Sequence, residues 1–171
     1  MKVRIKKLHE NAIIPTYAKK GDAGMDLTAV TRHFDLEGNV IYGTGLAIEI
    51  PEGYVGLIFP RSSICNKDLS LTNAVGVIDS GYRGEISAKF KPTLCFRPNE
   101  KTELDVMEEY GEIDGVYIPY DESIPIEPIL YNVGERIAQL IIIPYPQIEF
   151  EIVEELTQTE RGDGGYGSSG K

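Results

Sequence analysis

Glycine and proline punctuate almost the whole chain and constrain its fold more than any other feature. The 171 residues include 18 glycines and 10 prolines, spaced so that few windows can hold a helix of more than three turns. The apolar runs between them are short and often alternate with polar residues, which is typical of β-strands. The sequence therefore predicts an all-β chain, of a length that fits one domain of roughly 100–200 residues.

Two pairs of apolar runs are separated by turn residues and predict β-hairpins. The first joins residues 46–50 to residues 55–59 through Pro-Glu-Gly, and the second joins residues 75–78 to residues 86–90 through Asp-Ser-Gly. Period alone places Ile86, Ala88 and Phe90 on one face of the second hairpin.

Residues 137–143 form a strongly apolar run that ends at Pro144. Because apolar residues occupy both faces, we expect a strand buried from both sides, by a second sheet or by a neighbouring subunit. Gln139 is an amide within this run and would cost about 1–3 kcal/mol if it were left unpaired. It is either a core amide bonded to backbone or a functional residue.

The distribution of charge argues against a nucleic-acid partner. The net charge is −10, and residues 97–131 carry 10 acidic and 2 basic side chains. Binding nucleic acid needs clustered lysines and arginines, so any anionic ligand would have to be held by a few placed arginines or a metal ion. Residues 97–131 are interpreted as an insertion between two strands, either a solvated elaboration or a segment that binds another protein.

No run approaches the roughly 18 consecutive apolar residues that span a bilayer, and the first residues lack the apolar core of a secretory signal. We therefore expect a soluble, cytoplasmic protein with no membrane partner. Cys65 and Cys95 are the two cysteines, too few for a disulfide scaffold, and are expected to be reduced.

Two further segments carry polar side chains that need partners or can bind a ligand. Asp26 lies between apolar neighbours, where a carboxylate is costly unless it is paired, hydrogen-bonded or near a cation. Arg61 follows an apolar strand and offers a planar fork of donors, while Ser62 and Ser63 offer short donors, a set suited to phosphate oxygens. The alternative is a surface ion pair with a serine that caps a helix.

The turn after residues 75–78 contains the best candidate for a general base. Asp79 stands between the apolar run and the turn, where it is either a turn-favouring residue or a carboxylate that orients a water. The amide of Asn73 is suited to pairing with a base edge. Tyr82 would then be a flat wall against a sugar.

The C-terminal residues 161–171 contain five glycines and one large side chain, Tyr166. A flexible end is predicted. Its arginine, Arg161, its free backbone N–H groups and its hydroxyls are also suited to closing over a phosphorylated ligand by ordering on it.

These segments occur in an order that resembles the five motifs of the trimeric dUTP diphosphatases, or dUTPases. They are residues 23–27, 60–63, 76–84, 134–140 and 161–170. The resemblance implies a jelly-roll-like β-barrel as a single domain over residues 1–160, with the insertion at about 97–131 and a flexible arm at 161–171. It also implies a homotrimer whose sites are built from several subunits, and Mg²⁺-dependent hydrolysis of dUTP to dUMP and pyrophosphate, which would limit uracil in DNA and supply dUMP for thymidylate synthesis.

The resemblance implies a role for each matching residue. Asp79 would activate the water that attacks the α-phosphorus, Tyr82 would pack on the deoxyribose and exclude a 2′-hydroxyl, and Asp26 would hold Mg²⁺ through water. Uracil would contact Asn73 and the backbone of Gly76, Val77 and Ile78. The phosphates or the catalytic water would contact Arg61, Ser62, Ser63 and the second catalytic residue, Gln139. A lid would be formed by Arg161, Tyr166, Gly167 and Ser168.

Two features depart from the family pattern. Tyr166 stands where the family usually has phenylalanine, which keeps a stacking face and adds a hydroxyl. Residues 97–131 resemble in position the extra segment of some bacteriophage dUTPases, so the cytoplasm concerned would be the host's if a phage encodes the chain.

The sequence is also compatible with two other functions. One is a dCTP deaminase on the same fold, which also carries Arg-Ser-Ser but needs a catalytic glutamate, and the turn at residues 79–82 argues against it. The other is a dUTP-sensing module whose acidic segment, residues 97–131, binds a protein partner, and that segment favours this as an added role.

Overall fold

The computed structural model describes residues 1–93 and 127–165, and within them the chain forms ten β-strands and one short 3-10 helix. The strands are β1 (Arg4–Lys7), β2 (Met25–Thr28), β3 (Thr31–Phe34), β4 (Val40–Gly43), β5 (Leu46–Glu49), β6 (Tyr54–Pro60), β7 (Leu69–Leu71), β8 (Gly76–Ile78), β9 (Ser87–Pro92) and β10 (Arg136–Pro144), and the 3-10 helix is Ser62–Asn66. None of the described residues belongs to a helix long and apolar enough to cross a membrane.

The strands pair into two four-stranded antiparallel sheets and one two-stranded ribbon. The first sheet has the order β2-β10-β6-β8, the second has the order β3-β4-β9-β7, and β1 pairs with β5 in the ribbon. Side chains from both sheets meet in one buried cluster. This architecture of facing antiparallel sheets confirms the predicted all-β, jelly-roll-like class.

Three aromatic rings occupy the centre of the core between the sheets. Tyr42, Phe90 and Tyr131 are each at most 1% exposed, and their ring centroids lie 5.8 to 6.1 Å apart in edge or tilted contacts. Such contacts add roughly 0.5–1.5 kcal/mol per pair beyond the burial of area. Tyr131, the last residue of the predicted insertion, therefore belongs to the core.

Both predicted hairpins are wrong as strand pairings, although their strands exist. β5 pairs with β1, whereas β6 pairs with β10 and β8. β8 lies in the first sheet and β9 in the second. Each turn carries the chain from one layer to another, and turn residues alone do not distinguish this from a return along the same sheet. The predicted face of Ile86, Ala88 and Phe90 is confirmed, since all three are buried.

The predicted strand at residues 137–143 is confirmed as β10, which lies between β2 and β6. The outward side of this sheet is also apolar, because the register places Ile141 beside Leu57, Ile143 beside Val55, and Leu57 beside Val77. Val77 remains 59% exposed in the single chain. We refer to Val55, Leu57, Phe59, Val77, Ile141 and Ile143 as the outer apolar face.

Candidate active site

Asp26 lies at the centre of a polar cluster on the first sheet. Its Oδ1 accepts hydrogen bonds from Arg61 Nε at 2.8 Å and Gln139 Nε2 at 3.3 Å, and its Oδ2 accepts one from Arg136 Nη1 at 3.0 Å. The strand register explains why Gln139 contacts Asp26, since Gln139 of β10 lies directly opposite Asp26 of β2 and beside Phe59 of β6. We refer to Asp26, Arg61, Arg136 and Gln139 as the carboxylate cluster.

The carboxylate cluster carries one negative and two positive charges. The Asp26 and Arg61 side chains are 15% and 20% exposed, whereas Arg136 is 57% exposed. Two guanidinium groups therefore share one carboxylate and keep further N–H donors, which makes the cluster a place for a phosphate-bearing anion. The resemblance assigns no role to Arg136, although it lies in the matching segment 134–140 and is the first residue of β10.

Arg61 also connects the carboxylate cluster to the short 3-10 helix. Its Nη1 donates to Ser63 Oγ at 3.2 Å and to the Arg136 carbonyl at 3.4 Å. Ser62 begins the helix and is exposed. The residue that precedes the helix is Arg61, which makes no side-chain capping bond, so neither serine acts as the helix cap that the sequence left as an alternative.

The connection that precedes β10 is anchored beside the 3-10 helix. Lys67 Nζ donates to the Leu130 carbonyl at 3.0 Å and to the Glu135 carboxylate at 3.3 Å, and it lies 4.8 Å from the centroid of the Tyr131 ring. The backbone N–H of Asn132 and, to a smaller extent, Lys67 lower the pKa of Glu135 below its usual value. Glu135 therefore stays ionised and keeps Lys67 in place.

The turn after β8 holds Asp79 in an exposed position. The Tyr82 N–H donates to the Asp79 carbonyl at 3.1 Å and closes the turn. Arg83 Nη1 donates to the carbonyls of Ser80 at 2.6 Å and Tyr82 at 2.8 Å. The backbone of the turn is thus tied on both sides while the Asp79 carboxylate faces solvent.

Tyr82 has a defined ring position next to this turn. Its hydroxyl donates to the Glu85 carbonyl at 3.1 Å, and the ring lies against Gly84, where a Cβ atom would come within 2.4 Å of the tyrosine oxygen. Only glycine leaves room for the ring in this position, and 44% of Tyr82 remains exposed for contact with a ligand.

The turn before β8 carries Asn73. Ala74 has a φ of 58°, an uncommon conformation for a residue other than glycine and one that often accompanies function. The short strand that follows, Gly76–Ile78, is at the edge of the first sheet, so some of its backbone N–H and C=O groups are available to a ligand. Asn73 and Asp79 therefore flank an edge strand that can pair with a base.

The structure does not bring Asp79 to the carboxylate cluster within one chain. Ile78 lies opposite Gly56, so Asp79 follows at the level of Val55, whereas Asp26 and Gln139 lie at the level of Phe59. Four residues along a strand and three strand spacings separate the Cα atoms of Asp79 and Asp26, about 20 Å. A side chain cannot bridge that distance.

The C-terminal candidates are described only in part. Arg161 is exposed and its Nε donates to the carbonyl of Gly164 at 3.1 Å within a local turn. Tyr166, Gly167 and Ser168 lie outside the described residues, as does most of the acidic insertion.

The fit of Asp26 to a metal ion follows from its hydrogen bonds. An ionised carboxylate has about four acceptor sites, and three are taken by the donors of the carboxylate cluster. The remaining site suits a water molecule of a hydrated ion and not direct coordination. No group of three or more His, Cys, Asp or Glu residues within residues 1–93 and 127–165 is arranged to hold a metal ion.

Comparison with known proteins gives consistent results. A family model described as dUTPase matches residues 10–92 and 124–170. The deoxyuridine 5′-triphosphate nucleotidohydrolase of Corynebacterium glutamicum is 40% identical over 171 residues, which cover 99% of this chain and 95% of the relative. That of Nautilia profundicola is 39% identical, with 100% of both chains covered.

Two solved phage proteins share the fold. The dUTPase of Staphylococcus bacteriophage 80alpha, solved with dUpNHpp, has a TM-score of 0.68 and 32% identity, with 99% of each chain covered. The dUTPase from phage phi11 of S. aureus, in which a species-specific insert is visualised, has a TM-score of 0.65 and 28% identity, covering 93% of this chain and 100% of the phage chain.

Proposed function

The chain belongs to the dUTPase family, and from that premise we propose that it hydrolyses dUTP to dUMP and pyrophosphate. The observation that carries this proposal is the carboxylate cluster, in which two guanidinium groups and an amide converge on Asp26. Arg136 in particular is exposed enough to exchange part of its contact for a phosphate oxygen. The reaction would limit uracil in DNA and supply dUMP for thymidylate synthesis in the cytoplasm.

The reaction itself needs a positioned water and neutralised charge. Asp79 accepts the proton as the water oxygen bonds to the α-phosphorus, and the bond from that phosphorus to the bridging oxygen breaks to release pyrophosphate. Arg61, Ser62, Ser63 and Gln139 contact the phosphates or the water. Charge neutralisation at fixed donors contributes most in reactions of this kind.

Mg²⁺, where bound to the triphosphate, would supply charge neutralisation in addition to that of Arg61 and Arg136. Asp26 contributes through water, since one of its acceptor sites stays open beside its three donors. The direct ligands of the ion would be phosphate oxygens and water.

Selection of uracil and deoxyribose depends on the neighbourhood of β8. The amide of Asn73 and the free backbone groups of Gly76, Val77 and Ile78 pair with the uracil edge. Tyr82 packs on the sugar, and its ring is kept in place by the hydrogen bond to the Glu85 carbonyl. A rigid ring against the 2′-carbon leaves no space for a hydroxyl, so UTP is rejected.

The active unit is a homotrimer, and two features of the chain support this proposal. Asp79 and the carboxylate cluster are about 20 Å apart, so the cluster of one copy must meet the Asp79 turn of another. The outer apolar face also leaves Val77 and Ile143 59% and 40% exposed, a patch typical of a subunit contact.

The arm at residues 161–171 acts as a lid, with Arg161 and the backbone of Gly167 and Ser168 on the terminal phosphate and Tyr166 over uracil. Deleting residues 161–171 is expected to leave a folded oligomer with kcat/KM for dUTP lowered at least tenfold, because one charge-assisted hydrogen bond alone is worth about 1.5 kcal/mol or more. Steady-state pyrophosphate release measures the effect. Removal of Lys171 alone is the control, and a full rate after the longer deletion would refute the lid.

The proposed function is tested by pyrophosphate release from dUTP, UTP, dTTP and dCTP, with Mg²⁺ and after its removal with EDTA. We expect rapid turnover of dUTP only, and a large loss without the metal. Ammonia release from dCTP is followed in parallel, because it would identify the deaminase on this fold instead. Equal turnover of UTP and dUTP would contradict the role given to Tyr82.

The acidic insertion is proposed to bind a protein partner in addition to this activity. Residues 97–131 carry 10 acidic and 2 basic side chains, a composition suited to a basic partner. Tyr131 is buried and the backbone of Ile129 is hydrogen-bonded to Asp68, so a deletion that tests this contact should end before Ile129.

A further inference from the structure

Tyr131 lies outside every segment assigned to the site, yet its hydroxyl contacts a serine of the phosphate segment. Tyr131 Oη is 3.2 Å from Ser63 Oγ, and the residue is 1% exposed. In the part of the chain that the structure describes, Ser63 is the hydrogen-bond partner of this hydroxyl. Since a buried hydroxyl needs a partner, the contact ties the serine to the core.

The position of the Tyr131 hydroxyl is set by the rest of the residue. Its carbonyl accepts hydrogen bonds from Tyr42 Oη at 2.9 Å and Arg32 Nη1 at 3.2 Å. Its ring packs against Tyr42 and Phe90, with Lys67 Nζ over one face. Burial raises the pKa of Tyr42, so that hydroxyl stays protonated and keeps donating. Tyr131 Oη is therefore a fixed point beneath the 3-10 helix.

The fixed Tyr131 hydroxyl limits the hydrogen bonds that Ser63 can make. A serine hydroxyl has one hydrogen and two acceptor sites. Arg61 Nη1 donates to Ser63 Oγ at 3.2 Å and occupies one acceptor site. If Tyr131 donates as well, the second acceptor site is filled and only the serine hydrogen remains. That hydrogen needs an acceptor that the two neighbours do not provide, and a phosphate oxygen is one.

We propose that Tyr131 is a positioning residue that donates to Ser63 and so presets this serine as a hydrogen-bond donor to a substrate phosphate. The proposal rests on the proposed function, in which Ser63 contacts the phosphates of dUTP. Tyr131 touches no substrate itself. It acts through Ser63 and, through the same serine, limits the movement of Arg61.

The test is Tyr131→Phe in the full chain, compared with Ser63→Ala and the double variant. We expect the Kd of the nonhydrolysable analogue dUpNHpp to rise about threefold to tenfold in Tyr131→Phe, the range for one lost hydrogen bond. Inhibition by deoxyuridine, which has no phosphate, should stay unchanged. Because both substitutions interrupt one contact, the double variant should bind dUpNHpp no more weakly than Ser63→Ala.

Thr44→Val is the matched control, since it removes a buried hydroxyl that donates to the Ile86 carbonyl and leaves Tyr131 and Ser63 untouched. It should lower the melting temperature while changing the Kd of dUpNHpp by less than about twofold. Wild-type affinity in Tyr131→Phe, equal loss of deoxyuridine binding, or losses that multiply in the double variant would overturn the proposal. If Tyr131→Phe does not fold, wild-type affinity in Ser63→Ala overturns it. Absence of dUTP hydrolysis in the natural chain would instead refute the proposed function.

Discussion

Asp79→Asn is expected to lower kcat for dUTP by at least about a hundredfold, the low end of general-base contributions. The amide has nearly the same shape as the carboxylate but cannot take a proton from the attacking water. The fold should be unaffected, because the side chain is exposed and the turn is closed by the Asp79 carbonyl, which the substitution keeps. KM should change little, since phosphate contacts belong to other residues.

The matched control for this substitution is Glu52→Gln. Glu52 is also an exposed carboxylate, in the turn that leads into the same end of β6 that Asp79 adjoins. It has no role in the proposed chemistry, so its kcat should equal that of the natural chain. Steady-state pyrophosphate release and thermal unfolding are measured for both variants. Equal turnover in Asp79→Asn and the natural chain would refute the assignment of the general base.

Mixing two inactive variants is expected to restore activity, which is the second large effect. Arg61→Ala damages the carboxylate cluster and Asp79→Asn damages the turn, and each variant alone should be nearly inactive. If a site takes its cluster from one copy and its turn from the next, random mixing in a closed ring gives about a quarter of sites with both parts intact. Co-refolding the two chains in equal amounts and measuring dUTP hydrolysis tests this.

The control for the mixing experiment is a pair of variants with damage on the same side of the interface. Arg61 and Gln139 both bond Asp26 within one chain, so mixing Arg61→Ala with Gln139→Ala leaves no cluster intact. Activity should remain at background for this pair. If the first pair also stays inactive while mixed oligomers are detected by mass, the site is complete within one chain. The proposal that two copies share each site is then wrong.

The candidate site was largely accessible from the sequence because its residues stand in short segments with distinctive chemistry. A carboxylate between apolar neighbours required a partner, and Asp26 has Arg61, Arg136 and Gln139. The sequence does not decide whether the Gln139 amide bonds to backbone or is a functional residue, because the amide alone does not reveal what lies opposite it. Only the pairing of β10 with β2 supplies that answer.

Arg136 and Tyr131 show what sequence reasoning missed. Arg136 is the first residue of β10 and resembles an ordinary surface residue until β2 is placed beside it. Tyr131 adjoins an acidic segment and was counted with it, although the side chain is buried beside Tyr42 and Phe90. Both depend on contacts between residues far apart in sequence, which local patterns do not encode.

The sequence alone determined that short strands form, which residues alternate along them, and which segments combine carboxylate, guanidinium and hydroxyl groups, because these properties depend on neighbours one to four positions away. Tertiary structure decided which strands pair. The turns after β5 and β8 carry the chain to a different layer, and as a result Asp79 lies far from Asp26 in one copy. Turn residues set a local change of direction, whereas the destination of the strand depends on which apolar faces bury each other best.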